Sequence, residues 1–270
     1  MLTLAFFLLV EMIKSHTLAV LLIASPLALG IFTGCTKEKA AEPVLTTGSF
    51  ALELDPVVGS APLVLNAQTY TKSDGQTFTV SKFKFLLSNV KLTRADGSSY
   101  AVPDGYYLIN ADDDKTFRFV IDKVPLGDYT ILSFLVGVDP AHNNGTFQSG
   151  MLNHSNDLYW EWSNEYVFLK MAGTSPQAGP GRALTFDIGG NSAARTVTPA
   201  FGTNVLPVRE GHVPEIHIYV NVQALFESAT PANRINFTNT YSVESGSPWA
   251  PVMADNLTAG MFTTGHVHPN

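Results

Sequence analysis

The chain has 270 residues, of which 45% are hydrophobic and only 14% are charged, and its formal net charge is −7 at pH 7. This negative charge repels a phosphate backbone, so we expect no nucleic-acid partner. The chain has a single cysteine, which excludes an intrachain disulfide and a cysteine-rich metal cluster. Any metal chemistry must therefore use histidine, methionine or carboxylate ligands.

Residues 1–35 have the pattern of a bacterial lipoprotein signal peptide. An uncharged apolar run over residues 17–32 follows Lys14 and ends near Gly34 and Cys35, which resembles a lipobox. The run is short for a membrane span, which needs about 20 residues. We therefore expect Cys35 to carry lipid and to anchor the chain in the cell envelope, at the outer membrane. Met12 is an alternative start, and a reactive thiol in an ordinary signal or transmembrane segment is the alternative interpretation of Cys35.

The mature chain is expected to be all-β. Residues 36–47 are polar and predict a flexible tether, and residues 48–270 predict one domain. Short β-branched and aromatic runs alternate with Gly, Pro, Asn and Asp, which indicates a single β-sandwich-like (immunoglobulin-like) domain with long loops. Helix is expected to be minor, no more than a short turn near residues 223–226.

The longest strand candidate covers residues 78–91, and its alternation of apolar and polar side chains breaks near Lys84, which predicts a bulge or bend there. A turn at Asp96 and Gly97 follows. Long loops are predicted for three stretches without a strand pattern, residues 139–157, 173–182 and 235–270. In β proteins the functional residues usually lie on such loops. Further strands are predicted at residues 100–102, 106–110, 117–121, 129–136, 166–171, 184–188, 204–208 and 215–222.

Four histidines are candidate metal ligands. His266 and His268 are two residues apart, so in an extended segment both imidazoles project to one side and can bind one ion. A polar chain terminus without a ligand is the alternative. His217 lies in a strand-like run with Glu215 and Tyr219 on its face, where a structural role is the alternative. His142 lies in a turn-forming segment that exposes its ring.

Trp160 and Trp162 share one parity, which fits either a core role or a functional aromatic pair. Without cysteines, a site built from several imidazoles suits copper or zinc. The three aspartates at residues 112–114 lack the ligand spacing of a calcium-binding loop and predict a solvated turn. The sequence contains neither a glycine-rich phosphate loop nor a Gly-x-Ser-x-Gly motif.

Six groups of residues spread over the mature chain form a specific combination. Together they resemble the MbnP-like family, named after a periplasmic copper-binding protein associated with methanobactin, and above all its lipoprotein members in Bacteroidetes-type bacteria. The groups are residues 50–54 with Pro62, Leu63 and Asn66; 79–90; 138–143; 158–162 with 165–170; 215–218; and 253–256 followed by 265–268.

The resemblance implies a β-sandwich-like domain that binds copper, as Cu(I) or Cu(II), in the periplasm or at the outer membrane. By motif, it makes His142, His217, His266 and His268 the candidate ligands. It also implies a di-haem peroxidase partner of the MauG type, which oxidises a tryptophan to kynurenine. Trp160 and Trp162 are the candidates for that modification. A TonB-dependent receptor is a further expected partner.

Three classes of function follow from these features. The leading one is a copper-binding lipoprotein for acquisition, buffering or delivery, without catalysis. The second is a surface module that binds a glycan or a protein through the aromatic side chains of its loops. The third is a metal-dependent oxidase or hydrolase, which would need an open coordination position and a base such as Glu161 or Glu165.

Overall fold

The computed structural model of the chain describes residues 46–144 and 149–269. The predicted signal peptide, the alternative start at Met12 and the lipidation site Cys35 lie outside these residues, as does most of the predicted tether. Within the described ranges, no helix combines the length and the apolar character that crossing a membrane requires.

β-strands account for most of the regular structure in the described ranges, and the one α-helix there is short. The helix is α1 (Trp249–Gly260), and the longest 3₁₀ helix covers Val222–Phe226. The strands are β1 (Thr47–Val58), β2 (Ala61–Pro62), β3 (Tyr70–Thr71), β4 (Thr77–Thr93), β5 (Ser99–Ala101), β6 (Tyr106–Asn110), β7 (Arg118–Pro125), β8 (Gly127–Tyr129), β9 (Ile131–Val136), β10 (Tyr159–Trp160), β11 (Glu165–Thr174), β12 (Ala183–Gly189), β13 (Arg195–Val197), β14 (Leu206–Val208), β15 (Glu215–Asn221), β16 (Ser242–Val243) and β17 (Phe262–His268).

The strands form two main sheets and a small pair of β8 with β14. In the first sheet, β1 pairs parallel with β15 and antiparallel with β7 and β2, and β15 pairs antiparallel with β17. The second sheet follows the order β13, β9, β4, β11, β12, β16, with β3, β5 and β6 attached to β4 and β10 attached to β11. The sheets include a curled half-barrel.

Strand β4 explains the broken alternation in residues 78–91. Its register against β11 gains one residue at Ser81, and its register against β9 gains one between Ser88 and Lys91, where Asn89 has a φ of 51°. Because side chains alternate with a period of two, each extra residue moves the buried series to the other parity. The irregularity predicted near Lys84 is therefore two bulges, one on each side of that residue. The buried series is Phe78, Val80, Phe83, Phe85, Leu87, Val90 and Leu92.

The end of the chain is folded onto the core, which corrects the predicted loop over residues 235–270. Helix α1 buries Ala250, Met253, Ala254 and Leu257, a spacing of three and four residues that places them on one helical face. Strand β17 then begins at Phe262, whose ring packs 5.8 Å from that of Phe85 and 5.2 Å from that of Phe134. This contact fixes the start of β17 beside the second sheet.

The structure confirms the prediction of a mostly β chain. The strands predicted at residues 106–110, 166–171, 184–188 and 215–222 are observed with small shifts of their bounds, as is the turn at Asp96 and Gly97. The immunoglobulin-like sandwich arrangement and the domain limits 48–270 stay predictions.

We expect Gly173→Ala to lower the free energy of unfolding by about 1–3 kcal/mol, the usual cost of overpacking. A Cβ at Gly173 would lie 1.9 Å from the carbonyl oxygen of Thr79, so β11 would have to move away from β4. Chemical denaturation followed by tryptophan fluorescence measures the loss.

Gly260→Ala is the matched control for this substitution. Its new Cβ would lie 3.8 Å from the Cβ of Ala224, an ordinary contact, so we expect little change in stability. Equal stability of Gly173→Ala and the parent chain would contradict the account of the close strand approach.

Candidate metal centre

The site is built on the outer face of the first sheet. Along β15, Ile216, Ile218 and Val220 are fully buried. Because successive side chains of a strand point to opposite faces, Glu215 and His217 lie on the other face, together with Tyr219. The apolar half of the strand therefore holds His217 in place while leaving its ring at the surface.

A bulge in β17 brings the last histidines opposite His217. Ile216 pairs with Val267 and Ile218 pairs with Thr264, so β17 has one residue more than β15 between these pairs. Gly265 and His266 consequently share the position opposite His217. A Cβ at Gly265 would lie 2.9 Å from the ring of Tyr219, so glycine leaves room for that ring beside the bulge.

The three imidazoles of His217, His266 and His268 form one cluster. One ring nitrogen from each lies within 4.8 Å of the others, and the Nε2 atoms of His266 and His268 are 2.8 Å apart. The ring of His217 stacks on that of His266 with centroids 4.3 Å apart, and meets that of His268 edge-on at 5.2 Å. The sequence prediction that the imidazoles of His266 and His268 project to one side agrees with this geometry.

The donor set of this cluster fits a copper or zinc ion. Neutral imidazole nitrogens are borderline ligands that suit both metals. Two nitrogens bound about 2.0 Å from one ion lie about 2.8–3.3 Å apart at angles between square and tetrahedral. The separation of 2.8 Å between the Nε2 atoms of His266 and His268 falls in this range.

Three carboxylates surround His217. Asp55 Oδ2 lies 3.4 Å from its Nδ1, while Glu215 Oε1 and Glu53 Oε2 lie 2.9 and 3.7 Å from its Nε2. Metal-binding histidines commonly donate their second ring N–H to a carboxylate, which fixes the tautomer. A proton on Nδ1 facing Asp55 would leave the lone pair of Nε2 for an ion.

The pKa values of Glu53 and Glu215 shift in opposite directions. Burial raises the pKa of Glu53, and its hydrogen bond to Glu215 adds to that shift. Burial also opposes ionisation of Glu215, but hydrogen bonds with Arg118 and Glu53 outweigh it and lower the pKa of Glu215. Glu215 therefore ionises at a lower pH than Glu53, and the Arg118 Nε, 2.6 Å from Glu215 Oε2, holds its carboxylate in place.

His142 lies in a different network and is not a member of the three-histidine cluster found among the described residues. Its Nδ1 is 3.0 Å from both carboxylate oxygens of Asp139 and 2.8 Å from the hydroxyl of Tyr106, which donates a hydrogen bond to Asp139. Its role as a ligand stays a prediction. Burial raises the pKa of Tyr106, and the hydrogen bond to Asp139 adds to the effect.

The two tryptophans differ in environment. Trp160 is 7% exposed and belongs to the core, whereas Trp162 is 65% exposed. Their rings lie 6.0 Å apart at 44°, and within the described ranges neither ring contacts one of the clustered histidine rings. The shared parity of the pair therefore does not give the two side chains the same burial.

Sequence reasoning did not assign Glu53, Asp55 and Arg118 to the site. A signal for the first two exists, since Glu53 and Asp55 alternate with the buried Leu52 and Leu54 and must therefore lie on the outer face. Their position beside His217 depends on the parallel pairing of β1 with β15, in which Glu53 is the register partner of His217.

Comparisons with known proteins give a consistent result. A model of the MbnP family matches residues 47–246. The solved structure of MbnP from Methylosinus trichosporium is similar with a TM-score of 0.53 and 14% identity, covering 82% of this chain and 99% of that one. At this identity the likeness shows a shared fold. No curated protein matches the sequence.

The Asp139 network generates a pH-dependent prediction. Burial opposes ionisation of Asp139, but hydrogen bonds from Tyr106 and His142 outweigh it and lower its pKa. A carboxylate whose pKa is lower in the folded state stabilises the fold above its unfolded pKa of about 3.9, and this stabilisation is lost as the pH falls through the folded pKa. We expect Asp139→Asn to cost about 1–2 kcal/mol at pH 7 and progressively less below pH 4.

Urea denaturation at pH 7, 4 and 3 measures this difference. Asp112→Asn, at an exposed aspartate, is the control and should change stability little at each pH. A cost for Asp139→Asn that is as large at pH 3 as at pH 7 would contradict the assigned hydrogen bonds.

Proposed function

The chain belongs to the MbnP family, and on that basis we propose that it is a copper-binding protein of the cell envelope. It acquires, buffers or delivers copper and catalyses no reaction. The observation that supports this proposal best is the convergence of His217, His266 and His268, whose ring nitrogens lie within 4.8 Å of one another. The tail histidines lie beyond residues 47–246, which the family model matches.

The proposed site consists of three ligands and one residue that orients a ligand. His217, His266 and His268 are the proposed ligands, and Asp55 orients His217 through its Nδ1. Such a site would bind a copper ion and release it again. Copper needs neutral imidazoles, so acid is expected to weaken binding. His142 is the fourth ligand predicted from the sequence. It stays in the proposal as a ligand, although it lies outside the cluster.

We further propose that the chain reaches the outer membrane as a lipoprotein. Residues 1–35 serve as the signal peptide and Cys35 carries the lipid, as their sequence pattern predicts. The periplasmic character implied by the family supports this location. A TonB-dependent receptor is the proposed partner for copper passage.

Oxidation of a tryptophan by a di-haem partner of the MauG type is also part of the proposal. Trp162 is the tryptophan open to a partner protein, because it is 65% exposed while Trp160 is 7% exposed. The same exposure favours a second candidate function, in which Trp162 forms part of a surface that binds a glycan or a protein.

We expect His266→Ala and His268→Ala each to lower copper affinity by about tenfold to 100-fold, because each removes one ligand. Competition titration of the purified protein against a copper chelator measures the affinity. His212→Ala is the control, since His212 is exposed and lies outside the cluster. His142→Ala tests the remaining predicted ligand: a comparable loss would add His142 to the ligand set.

Unchanged copper affinity in both tail variants would contradict the proposed function. A loss in His142→Ala alone would move the copper site to the Asp139 network and would equally contradict the three-histidine centre.

Kynurenine is expected at Trp162 in protein isolated from its native envelope. Peptide mass spectrometry locates the modification, and Trp249 is an internal control because it lies on α1 and is half-buried. The modification should persist in Trp160→Phe and disappear in Trp162→Phe. Kynurenine at position 160, or none at either position, would contradict this assignment.

A further inference from the structure

The carboxylate side of His217 offers a second set of donors. Glu53 from β1 and Glu215 from β15 face the Nε2 of His217 at 3.7 and 2.9 Å. One carboxylate oxygen from each lies within 4.8 Å of the other and of a nitrogen of His217. This group is separate from the three-histidine cluster and shares only His217 with it.

The side chains are placed to receive an ion from solvent. Those of Glu215 and His217 are 17% and 16% exposed, and that of Glu53 is 29% exposed. Carboxylates held in such partly buried positions remain within reach of water while losing part of their screening. The strands fix their backbones, so little reorganisation is needed to bring the oxygens together.

The local charge favours a cation. Glu53, Asp55 and Glu215 all face His217, and within the described part of the chain Arg118 is the sole Lys or Arg that forms an ion pair with any of them. Arg118 contacts Oε2 of Glu215, while Oε1 faces His217. The arginine therefore orients one carboxylate and leaves its other oxygen available as a ligand.

We propose that Glu53, Glu215 and His217 form a second metal position that takes a hard divalent cation of the Mn²⁺ class. Two carboxylate oxygens favour hard ions such as Mn²⁺, Mg²⁺ and Ca²⁺, and the imidazole favours Mn²⁺ among these three. The three-histidine cluster, by contrast, offers nitrogen donors alone and suits copper.

The two positions compete because they share His217. Its Nδ1 faces Asp55, so Nε2 supplies one lone pair, which cannot serve two ions at once. Copper at the histidine cluster therefore weakens Mn²⁺ binding, and Mn²⁺ slows copper loading. This competition rests on the proposed copper function, whereas Mn²⁺ binding by Glu53 and Glu215 does not.

Titration of the purified protein with Mn²⁺, followed by the loss of the electron paramagnetic resonance signal of the free ion, tests the second position. We expect one bound Mn²⁺ per chain, and Glu53→Gln should weaken Mn²⁺ binding by about tenfold or more. Glu215→Gln is a second variant with the same expected effect. Glu210→Gln is the control, since Glu210 is exposed and lies outside the group.

His266→Ala separates the two hypotheses. It should retain Mn²⁺ binding while its copper affinity falls by about tenfold to 100-fold, and in the parent chain Cu(I) loading should weaken Mn²⁺ binding by about tenfold or more. Absence of Mn²⁺ binding, or equal Mn²⁺ affinity in Glu53→Gln, Glu215→Gln and the parent chain, would overturn the second position. Unchanged copper affinity in His266→Ala would instead count against the proposed function.

Discussion

The antiparallel pairing of β17 with β15 is the contact on which the site depends. It carries His266 and His268 from the end of the chain to His217, and the bulge at Gly265 and His266 sets their position opposite that residue. Phe262 anchors the start of β17 between Phe85 and Phe134 of the second sheet. The core thus determines where the exposed imidazoles stand.

The outer face of the first sheet combines two chemistries around one histidine. On one side of His217 stand imidazoles, which suit copper, and on the other stand carboxylates, which suit harder cations. Arg118 from β7 orients Glu215, and Asp55 from β1 orients His217. Strands β15 and β17 therefore supply the histidine ligands, and β1 and β7 supply Asp55 and Arg118, which position side chains of β15.

Several of these features could be predicted from the sequence, because they depend on residues that are close together in the chain. The spacing of His266 and His268 already places both side chains on one face of an extended segment, and the run around His217 already shows a strand with Glu215 on the same face. The mostly β class follows from the same alternation and from turn residues such as Asp96 and Gly97. These inferences need only neighbours in the chain.

The rest depends on distant pairing, which periodicity does not encode. The parallel alignment of β1 with β15 joins Glu53 to a strand far along the chain, and no local signal specifies that register. The bulges at Ser81 and Asn89 in β4 likewise arise from partners in β11 and β9. Helix α1 is different, since the spacing of Ala250, Met253, Ala254 and Leu257 does carry a helical signal, with Pro251 in the first turn and Gly260 at the end of the helix.

The most direct measurement of the central claim is X-ray absorption spectroscopy of the copper-loaded protein. The account predicts a first shell of nitrogen donors with the outer-shell scattering of the three imidazoles that converge on one point. A shell dominated by sulfur from methionine, or one with a single imidazole, would contradict the convergence of His217, His266 and His268 on the metal.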